Sequence, residues 1–336
     1  MMSLFKSFLG YLILWMAAIA MPIHVAHAAT DPRSPVNIEN KRIAYLVSDI
    51  RIPFWRIMSG GVKRSANSLG YKAEIYSSDN DPKRELEFLV GAIKGQVSGI
   101  VVSPTTSSAC ATILKLANAA GIPVVIADIG TDGGDYVSYI SSDNRAGAYE
   151  IGKVLVEKMR ARGYDKGRVG IIAIPQKRLN GQARTAGFMR ALDEAGIKGA
   201  DIRQQVTFSD EETYQYSKEM ISKYPDLRAI WLQGSDRYKA ALRAIADAGK
   251  MNEILLATFD AEPEFLRLIP QGVLVGAAMQ QPYLMGQEAV RALDGHLKGG
   301  EVAKQIQLPV LSVSPENIGR QMPIIKRNVL GIERAD

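Results

Sequence analysis

Two aspartates are the clearest candidates for chemistry in this chain. Asp128 ends the apolar run PVVIAD and Asp260 ends LLATFD, so each is predicted at the carboxyl end of a β-strand. Ligands of open α/β sheets bind at that edge. A carboxylate pair there would serve a glycosidase as acid and as base or nucleophile, or a binding protein as acceptors for ligand hydroxyls. Helix capping or turn formation is the alternative for each aspartate.

Residues for other kinds of catalysis are scarce, which favours binding. After the predicted signal peptide there is one histidine, His296, on a predicted surface helix, and the only cysteine, Cys110, is expected to be a buried small side chain of a helix. A zinc site needs about three or four clustered ligands, which these residues do not supply. No phosphate-loop, dinucleotide-binding or nucleophile-elbow motif is present. We therefore predict no catalytic residue, no metal and no cofactor.

A pair of aromatic residues is the other candidate site feature. The stretch Arg42 to Trp55, RIAYLVSDIRIPFW, predicts a strand, a turn and a helix that starts at Pro53, where the missing proline N–H would have had no partner. Phe54 and Trp55 would then lie at the ligand-binding edge. Packing into the core is the alternative for both rings.

The N-terminal residues predict export. Residues 1–28 combine Lys6, an apolar stretch over 8–20 and an A-x-A site at 26–28, which is typical of a signal peptide cleaved near Ala28. The apolar stretch is short for a membrane span. No cysteine follows the cleavage site, so we do not expect a lipoprotein, and one cysteine cannot form a disulfide within the chain.

The charge of the chain is modestly positive. The formal net charge of +6 is scattered, and the densest basic cluster, MRARGYDKGR over 159–168, is typical of a solvated helix end. A nucleic-acid surface would combine more charge with interleaved aromatics. No nucleic-acid partner is expected.

Short apolar runs alternate with longer amphipathic ones from Lys41 onward, which predicts repeated βα units. Several runs, such as GIVVSP and VGIIAI, are continuously apolar, as in parallel sheets covered on both faces. Two parallel sheets are therefore predicted. The expected strands are 42–47, 73–77, 99–103, 123–127, 137–141, 168–174, 203–208, 228–233, 254–259 and 273–279. The expected helices are 54–69, 82–95, 107–120, 144–162, 181–195, 210–223, 236–248, 262–269 and 283–298.

The fold class expected is α/β, with two similar doubly wound lobes joined by a three-segment hinge and a ligand in the cleft between them. Residues 309–315 are expected to form the third segment. The predicted boundaries are 41–142 plus 281–309 for the N-terminal lobe, 143–280 plus 310–319 for the C-terminal lobe, and 320–336 for a tail without an assigned role.

The residues from about Arg42 to Ile318 resemble the type I periplasmic sugar-binding proteins of the ribose-binding group. The stretches that carry the resemblance are the strand before Pro53-Phe54-Trp55, SSDNDP over 77–82, GIPVVIAD, ISSDN, YPDLRAIWLQ, ATFDAEP and LPVLSVSPENI. The resemblance implies the two-lobed periplasmic binding protein fold and a non-enzymatic, monomeric protein.

The resemblance also implies a ligand site. Phe54 and Trp55 match aromatics that hold a sugar ring from the first lobe, and Phe208 matches the aromatic that opposes them from the second. Polar contacts are matched by Asp128, Arg184, Asp260 and Gln280, with the Arg184 fork suited to two adjacent hydroxyls. A surface salt bridge is the alternative for Arg184.

Three positions depart from the ribose-binding pattern. Arg51-Ile52 replaces an amide before the aromatic pair, Ile129 replaces an arginine, and Gly234 replaces an asparagine. Each loss would leave a ribose hydroxyl unpaired, at about 1–3 kcal/mol. Ribose is therefore disfavoured, and Arg51 or Arg237 is expected to supply additional contacts.

Two functions follow from the resemblance. The first is a periplasmic receptor that captures a monosaccharide or related polyol by lobe closure and delivers it to an inner-membrane ABC permease. The alternative is an adaptor that presents the ligand to a sensor kinase or chemoreceptor. A sugar-responsive repressor would need an N-terminal helix-turn-helix, where this chain has the predicted signal peptide.

Overall fold

The computed structural model describes residues 40–332, and the predicted signal peptide of residues 1–28 and the last four residues lie outside the described part. Within it, strands and helices alternate and form two six-stranded sheets. Each sheet with its covering helices is one of two α/β lobes, as the sequence predicted. No helix in this part of the chain is long and apolar enough to cross a bilayer.

The first sheet is all parallel and has the strand order β11-β5-β4-β3-β1-β2. Its strands are β1 (Arg42–Val47), β2 (Lys72–Ser77), β3 (Gly99–Ser103), β4 (Val124–Ala127), β5 (Ser138–Ser142) and β11 (Gln305–Leu308). Its helices are α1 (Pro53–Ser68), α2 (Pro82–Lys94), α3 (Ser107–Ala119) and α9 (Pro282–Leu297).

The second sheet repeats this arrangement with the order β12-β10-β9-β8-β6-β7. Its strands are β6 (Arg168–Ala173), β7 (Lys198–Gln204), β8 (Leu227–Leu232), β9 (Leu255–Phe259), β10 (Gly276–Met279) and β12 (Leu311–Val313). Its helices are α4 (Asn144–Ala161), α5 (Leu179–Ala195), α6 (Asp210–Lys223), α7 (Tyr238–Asp247), α8 (Phe265–Leu268) and α10 (Ile318–Ile324).

The central strands are buried on both faces, which explains their continuous apolar runs. In β1, Tyr45 and Val47 enter one apolar cluster while Leu46 enters the cluster on the opposite face. In β8, Trp231 enters the apolar cluster on one face of the sheet and Leu232 enters the cluster on the other. This alternation follows from the two-residue period of a strand. Because both faces of the sheet are covered, the strand ends, rather than the faces, lie at the cleft.

Several predicted elements differ from the structure. The second sheet is not wholly parallel, because β12 pairs with β10 in the antiparallel direction. The strand predicted over 203–208 is β7 at Lys198–Gln204, and residues 205–208 form the loop after it. A strand over 309–315 was expected between the lobes as the third crossing. The strand found there, Leu311–Val313, is shorter and is an edge strand of the second sheet. The strand β11 was not predicted at all.

The chain passes between the sheets three times, after β5, after β10 and after β11. At the second passage, Gln281 is buried and its Nε2 donates to the Pro309 carbonyl oxygen of the third passage at 2.8 Å. Its Oε1 accepts from Asn328 Nδ2 at 2.7 Å. The exact lobe boundaries given above stay a prediction.

The described part of the tail, to which no role was assigned, is folded onto the second lobe. After α10, residues Ile325–Leu330 form a π-helical segment. Ile325 and Val329 are buried in the apolar cluster on one face of the second sheet, and the segment also packs against α9 of the first lobe. The tail therefore contacts both lobes beside the passages.

Candidate ligand-binding cleft

A cavity of about 50 Å³ lies between the carboxyl ends of the two sheets. Both lobes contribute to its wall, which is the position where doubly wound sheets bind ligands. The residues lining it are Ile52, Phe54, Trp55, Asp128, Ile174, Arg178, Asn180, Arg184, Gln205, Phe208, Gln233, Gly234, Asp236, Asp260 and Gln280. The seven primary site residues predicted from the sequence are all among them.

Asp128 follows β4 and is held in the left-handed region at φ +66°, a conformation that non-glycine residues adopt at a cost and often at functional sites. Its Oδ2 accepts a hydrogen bond from Asn180 Nδ2 of the second lobe at 3.1 Å. Its buried Oδ1 receives no donor from the described residues. Burial raises the pKa of this carboxyl to about 6.

Asp260 follows β9 and adopts the same backbone conformation, with φ +68°. Its Oδ1 accepts from Gln280 Nε2 at 2.6 Å, and its Oδ2 lies 3.6 Å from Arg184 Nη1. Burial raises the pKa of Asp260, while the Arg184 charge opposes that change. The buried Oε1 of Gln280 has no donor within the described chain.

Arg184 is a buried residue of α5 rather than a surface salt-bridge partner. Its Nε donates to Asn144 Oδ1 at 2.8 Å and its Nη1 to the Gln233 carbonyl oxygen at 2.7 Å. The guanidinium carbon lies 3.9 Å from the centre of the Phe259 ring. These contacts fix the orientation of the side chain within the second lobe.

Phe54 and Trp55 begin α1 directly after Pro53, and both are buried at the cavity wall. Their rings meet edge to face, with centroids 4.8 Å apart and planes at 85°. Both residues also belong to the apolar core of the first lobe. Both rings therefore pack in the core and also line the cavity, so the two interpretations of the sequence do not exclude each other.

Phe208 faces the cavity from the loop after β7, with φ +54°. The guanidinium carbons of Arg178 and Arg237 lie 5.5 and 5.4 Å from its ring centre, within the range of cation–π attraction. Phe208 also lines a larger groove of about 670 Å³, so its ring stands between the two spaces.

Arg51 and Arg237, expected as additional contacts, line this outer groove and not the inner cavity. Arg51 is mostly exposed and pairs with Asp49, with Nη2 and Oδ2 2.7 Å apart. Arg237 pairs with Asp236, and burial lowers the pKa of its guanidinium. The groove opens at the mouth of the cleft.

Five polar wall residues were missed by the sequence analysis: Arg178, Asn180, Gln205, Gln233 and Asp236. Gln205 and Gln233 directly follow β7 and β8, so the rule that identified the two aspartates could have found them. Arg178 and Asn180 lie where α5 begins and carry no such signal. Of the residues that replace the ribose pattern, Ile52 and Gly234 line the cavity, while Ile129 is buried in the core of the first lobe.

The cavity is chemically suited to a neutral, hydroxylated ligand. Two guanidinium groups, Arg178 and Arg184, balance the carboxylates of Asp128 and Asp260, and Asp236 is paired as described above. Amides and aromatic rings form most of the remaining wall. No cluster of three or more metal-ligating side chains occurs within residues 40–332.

Two α/β lobes around a polar and aromatic cleft define a solute-binding protein. Residues 43–301 match the family model described as periplasmic binding protein domain, and the chain belongs to that family. It is a type I periplasmic binding protein of the ribose-binding group, a binding protein and not an enzyme.

Relatives and solved structures agree with this assignment. The chain is 29% identical over 272 residues to the ribose import binding protein of Haemophilus influenzae, covering 81% of this chain and 91% of the relative. It is 26% identical to the D-ribose/D-allose-binding protein of Pseudomonas aeruginosa, with 90% and 97% covered.

The fold is similar to that of a carbohydrate transporter solute-binding protein from Agrobacterium radiobacter in complex with D-arabinose, with a TM-score of 0.79 and 22% identity. That superposition covers 86% of this chain and 98% of the other. A myo-inositol-binding protein from Caulobacter gives a TM-score of 0.76 at 23% identity, with 84% and 95% covered.

Proposed function

We propose that this protein captures a neutral monosaccharide or related polyol in the inner cavity and delivers it to an ABC importer. The observation that carries the proposal is a pair of buried acceptors, Asp128 Oδ1 and Gln280 Oε1, which receive no donor from residues 40–332. A buried acceptor without a donor costs about 1–3 kcal/mol. Ligand hydroxyls would supply both donors.

The rest of the wall supports the same class of ligand. The C–H faces of a sugar ring are apolar and suit the rings of Phe54, Trp55 and Phe208. The balance of charge in the wall favours a neutral ligand over a sugar acid or an amine, because a net ligand charge would be buried without a counterion.

The relatives bind polyhydroxylated compounds according to their names, which include ribose, allose, arabinose and myo-inositol. Ile52 and Gly234 line the cavity at positions where the ribose-binding pattern has amide side chains. The side chain of Ile52 is apolar and glycine has none, so neither side chain can bond a ligand hydroxyl. We therefore propose a ligand with fewer hydroxyls on that side than ribose presents, or with a different ring shape.

Closure of the two lobes would couple capture to delivery. In this proposal the lobes have the boundaries predicted from the sequence, and the three passages act as the hinge. The exported, monomeric protein would be cleaved near Ala28 without a lipid anchor. The relatives named above as import or transporter proteins favour import over the sensory-adaptor alternative.

Thermal unfolding with a panel of D-ribose, D-allose, D-arabinose and myo-inositol tests the ligand class. A ligand present at 100 times its Kd adds about 2.7 kcal/mol to the free energy of unfolding. For a chain of this size we expect the midpoint to rise by about 5 °C or more. D-ribose should give a smaller rise than the best member of the panel.

The variant Gln280→Leu should lose this shift, because it removes one of the two acceptors. The matched control is Gln271→Leu, which changes an exposed glutamine of the same lobe and should respond as the unchanged protein does. A panel in which no sugar or polyol shifts the midpoint would refute the proposed ligand class.

A further inference from the structure

The inner cavity and the outer groove share part of their walls. Both spaces are lined by Ile52 of the first lobe and by Phe208 and Asp236 of the second. A ligand in the inner cavity therefore lies beside the groove. A substituent that extends from this ligand past the three shared residues would enter the groove without leaving the cleft.

Gly234 widens the passage between the two spaces. It lines the inner cavity and does not have a positive φ, so its backbone conformation does not require glycine. Apart from its neighbours in the chain, a Cβ there would have one atom of the described residues within 4 Å, Asp236 Oδ1 at 3.4 Å. A side chain would therefore fit, and it would lie beside a residue that both spaces share. Its absence leaves that room to a ligand.

Ile52 lies at the same passage. It is half-buried directly before α1, and it is the second position at which an amide of the ribose-binding pattern is replaced. Its side chain can pack against the C–H groups of a ligand that crosses the passage, as the Phe208 ring can from the other lobe. Two of the three departures from the pattern thus lie along one route out of the inner cavity.

Arg237 has donors for a ligand in the groove. Its Nη1 pairs with Asp236, and its buried Nε has no acceptor among the described residues. A guanidinium carries several N–H donors in one plane, and hydrogen bonds from a charged donor are about twice as strong as those between neutral groups. Hydroxyl oxygens of a ligand would accept these hydrogen bonds.

The charges of the groove favour a neutral occupant. Most of its charged residues are held in ion pairs, which are Asp49 with Arg51, Asp236 with Arg237, and Asp79 with Arg84. The charged lining residues outside these pairs are Arg56 of the first lobe and Asp210 of the second, and their charges are opposite. A phosphate or carboxylate would therefore meet no excess of positive charge, whereas the hydroxyls of a second sugar ring can bond both kinds of group.

We propose that the ligand is a neutral disaccharide, with one ring in the inner cavity and the second ring in the outer groove. The first ring contacts the buried acceptors and the aromatic residues described above. The second ring contacts Arg237 and the other charged groups of the groove. This inference rests on the proposed function and deepens it, because it names the class of ligand that the cleft takes.

Isothermal titration calorimetry with matched pairs of compounds tests the inference. The pairs are D-glucose with maltose and with cellobiose, D-xylose with xylobiose, and myo-inositol with its galactoside galactinol. The readout is the ratio of the affinity for the larger compound to the affinity for the smaller one. In the unchanged protein we expect a ratio of at least about ten for one pair, because the second ring adds hydrogen bonds with charged groups.

Two variants should lower this ratio through different contacts. Gly234→Asn narrows the passage and Arg237→Met removes the donors in the groove, and each should bring the ratio toward about one. The matched controls are Gly133→Asn, at an exposed glycine whose Cβ would meet no atom within 4 Å, and Arg243→Met, at an exposed arginine of α7. Both controls should keep the ratio of the unchanged protein.

The inference is overturned if monosaccharides bind but no larger compound binds more tightly than the smaller one of its pair, or if both variants keep the ratio of the unchanged protein. Either result would leave the proposed function standing, with a ligand confined to the inner cavity. Failure of every pair to bind would overturn the inference as well. If the panel of monosaccharides and myo-inositol named above also gave no shift, the proposed function would fall with it.

Discussion

Asp128 and Asp260 occupy equivalent positions in the two lobes. Each follows the fourth strand of its sheet and has a left-handed backbone, with φ +66° and φ +68°. Each donates its backbone N–H to the neighbouring strand, Asp128 to the Ile140 carbonyl oxygen at 2.9 Å and Asp260 to that of Ala278 at 2.8 Å. The repeated strand order thus brings the same local geometry to the cleft from both sides.

The charge on Asp128 makes binding sensitive to pH. Its carboxyl has a pKa of about 6, raised by burial, and hydroxyl donors favour the ionised form. Affinity for the best sugar of the panel should therefore rise as the pH increases through about 6 and level off near pH 7. Below pH 6 it should fall by up to about tenfold for each pH unit. Isothermal titration calorimetry at a series of pH values measures this.

The variant Asp128→Asn should bind at least about tenfold more weakly at pH 7 and show a flatter profile. Asp132→Asn changes an exposed aspartate shortly after the same strand and should keep the original profile. An Asp128→Asn protein with an unchanged pH profile would contradict the role assigned to this carboxylate.

Tryptophan fluorescence should report on the cleft through Trp55. Two tryptophans lie in the described chain, Trp55 at the cavity wall and Trp231, which is buried and stacked on Phe188 with ring centroids 3.9 Å apart. We expect the emission change on adding ligand to persist in Trp231→Phe and to vanish in Trp55→Phe. An emission change that persists in Trp55→Phe and vanishes in Trp231→Phe would place the ligand away from α1.

Two glycines allow α1 and α9 to pack backbone against backbone. A Cβ on Gly61 would overlap the Tyr283 carbonyl oxygen, and one on Gly286 would overlap that of Met58. Because a backbone cannot rotate out of the way, Gly61→Ala should lower the free energy of unfolding by about 3 kcal/mol. Urea unfolding followed by circular dichroism measures this.

Gly91→Ala is the matched control for that substitution. Gly91 lies within α2, and a Cβ there meets no atom within 4 Å. Alanine should raise the free energy of unfolding by about 0.5–1 kcal/mol, because glycine loses more conformational freedom in a helix. A loss for Gly91→Ala equal to that for Gly61→Ala would contradict close packing as the cause.

Glu85 should make stability depend on pH. Burial raises its pKa in the folded protein from 4.5 to about 7. Between these values the unfolded chain loses the proton while the folded one keeps it, so the free energy of unfolding falls as the pH rises from about 4.5 to 7. Below and above that window the contribution of Glu85 is constant.

Replacing Glu85 with glutamine should remove on the order of 2–3 kcal/mol of that pH dependence. The remaining slope would come from other buried carboxyls, such as Glu262, whose pKa burial also raises to about 7. Glu87→Gln, on the exposed side of the same helix, should leave the slope unchanged. Chemical unfolding at pH 4.5, 6 and 7.5 measures the free energy of unfolding of the unchanged protein and of the two variants.

Buried strands were predictable from the sequence, whereas the more exposed strands β7 and β11 were not. The strands Arg42–Val47 and Gly99–Ser103 have the predicted bounds because they are interior strands of the sheet, almost wholly buried and mostly apolar. Two of the errors fall on β7 and β11, which are edge strands of the two sheets with mostly exposed or half-buried residues. Their sequences, KGADIRQ and QIQL, lack the apolar run that identifies a buried strand.

Some site residues could be predicted from the local sequence and others could not. Asp128, Asp260 and Gln280 follow apolar strands, so their place at the cleft could be predicted from local sequence. Arg178 and Asn180 act through contacts with the opposite lobe, 73 and 52 residues away in sequence at Thr105 and Asp128. Contacts over such separations have no local pattern.

The buried amide of Gln281 limits how the lobes can move. It joins the second passage to Pro309 of the third and to Asn328 of the folded tail. Twisting one of these passages against the other would break the hydrogen bonds of Gln281. We therefore expect the lobes to open by bending at both passages together.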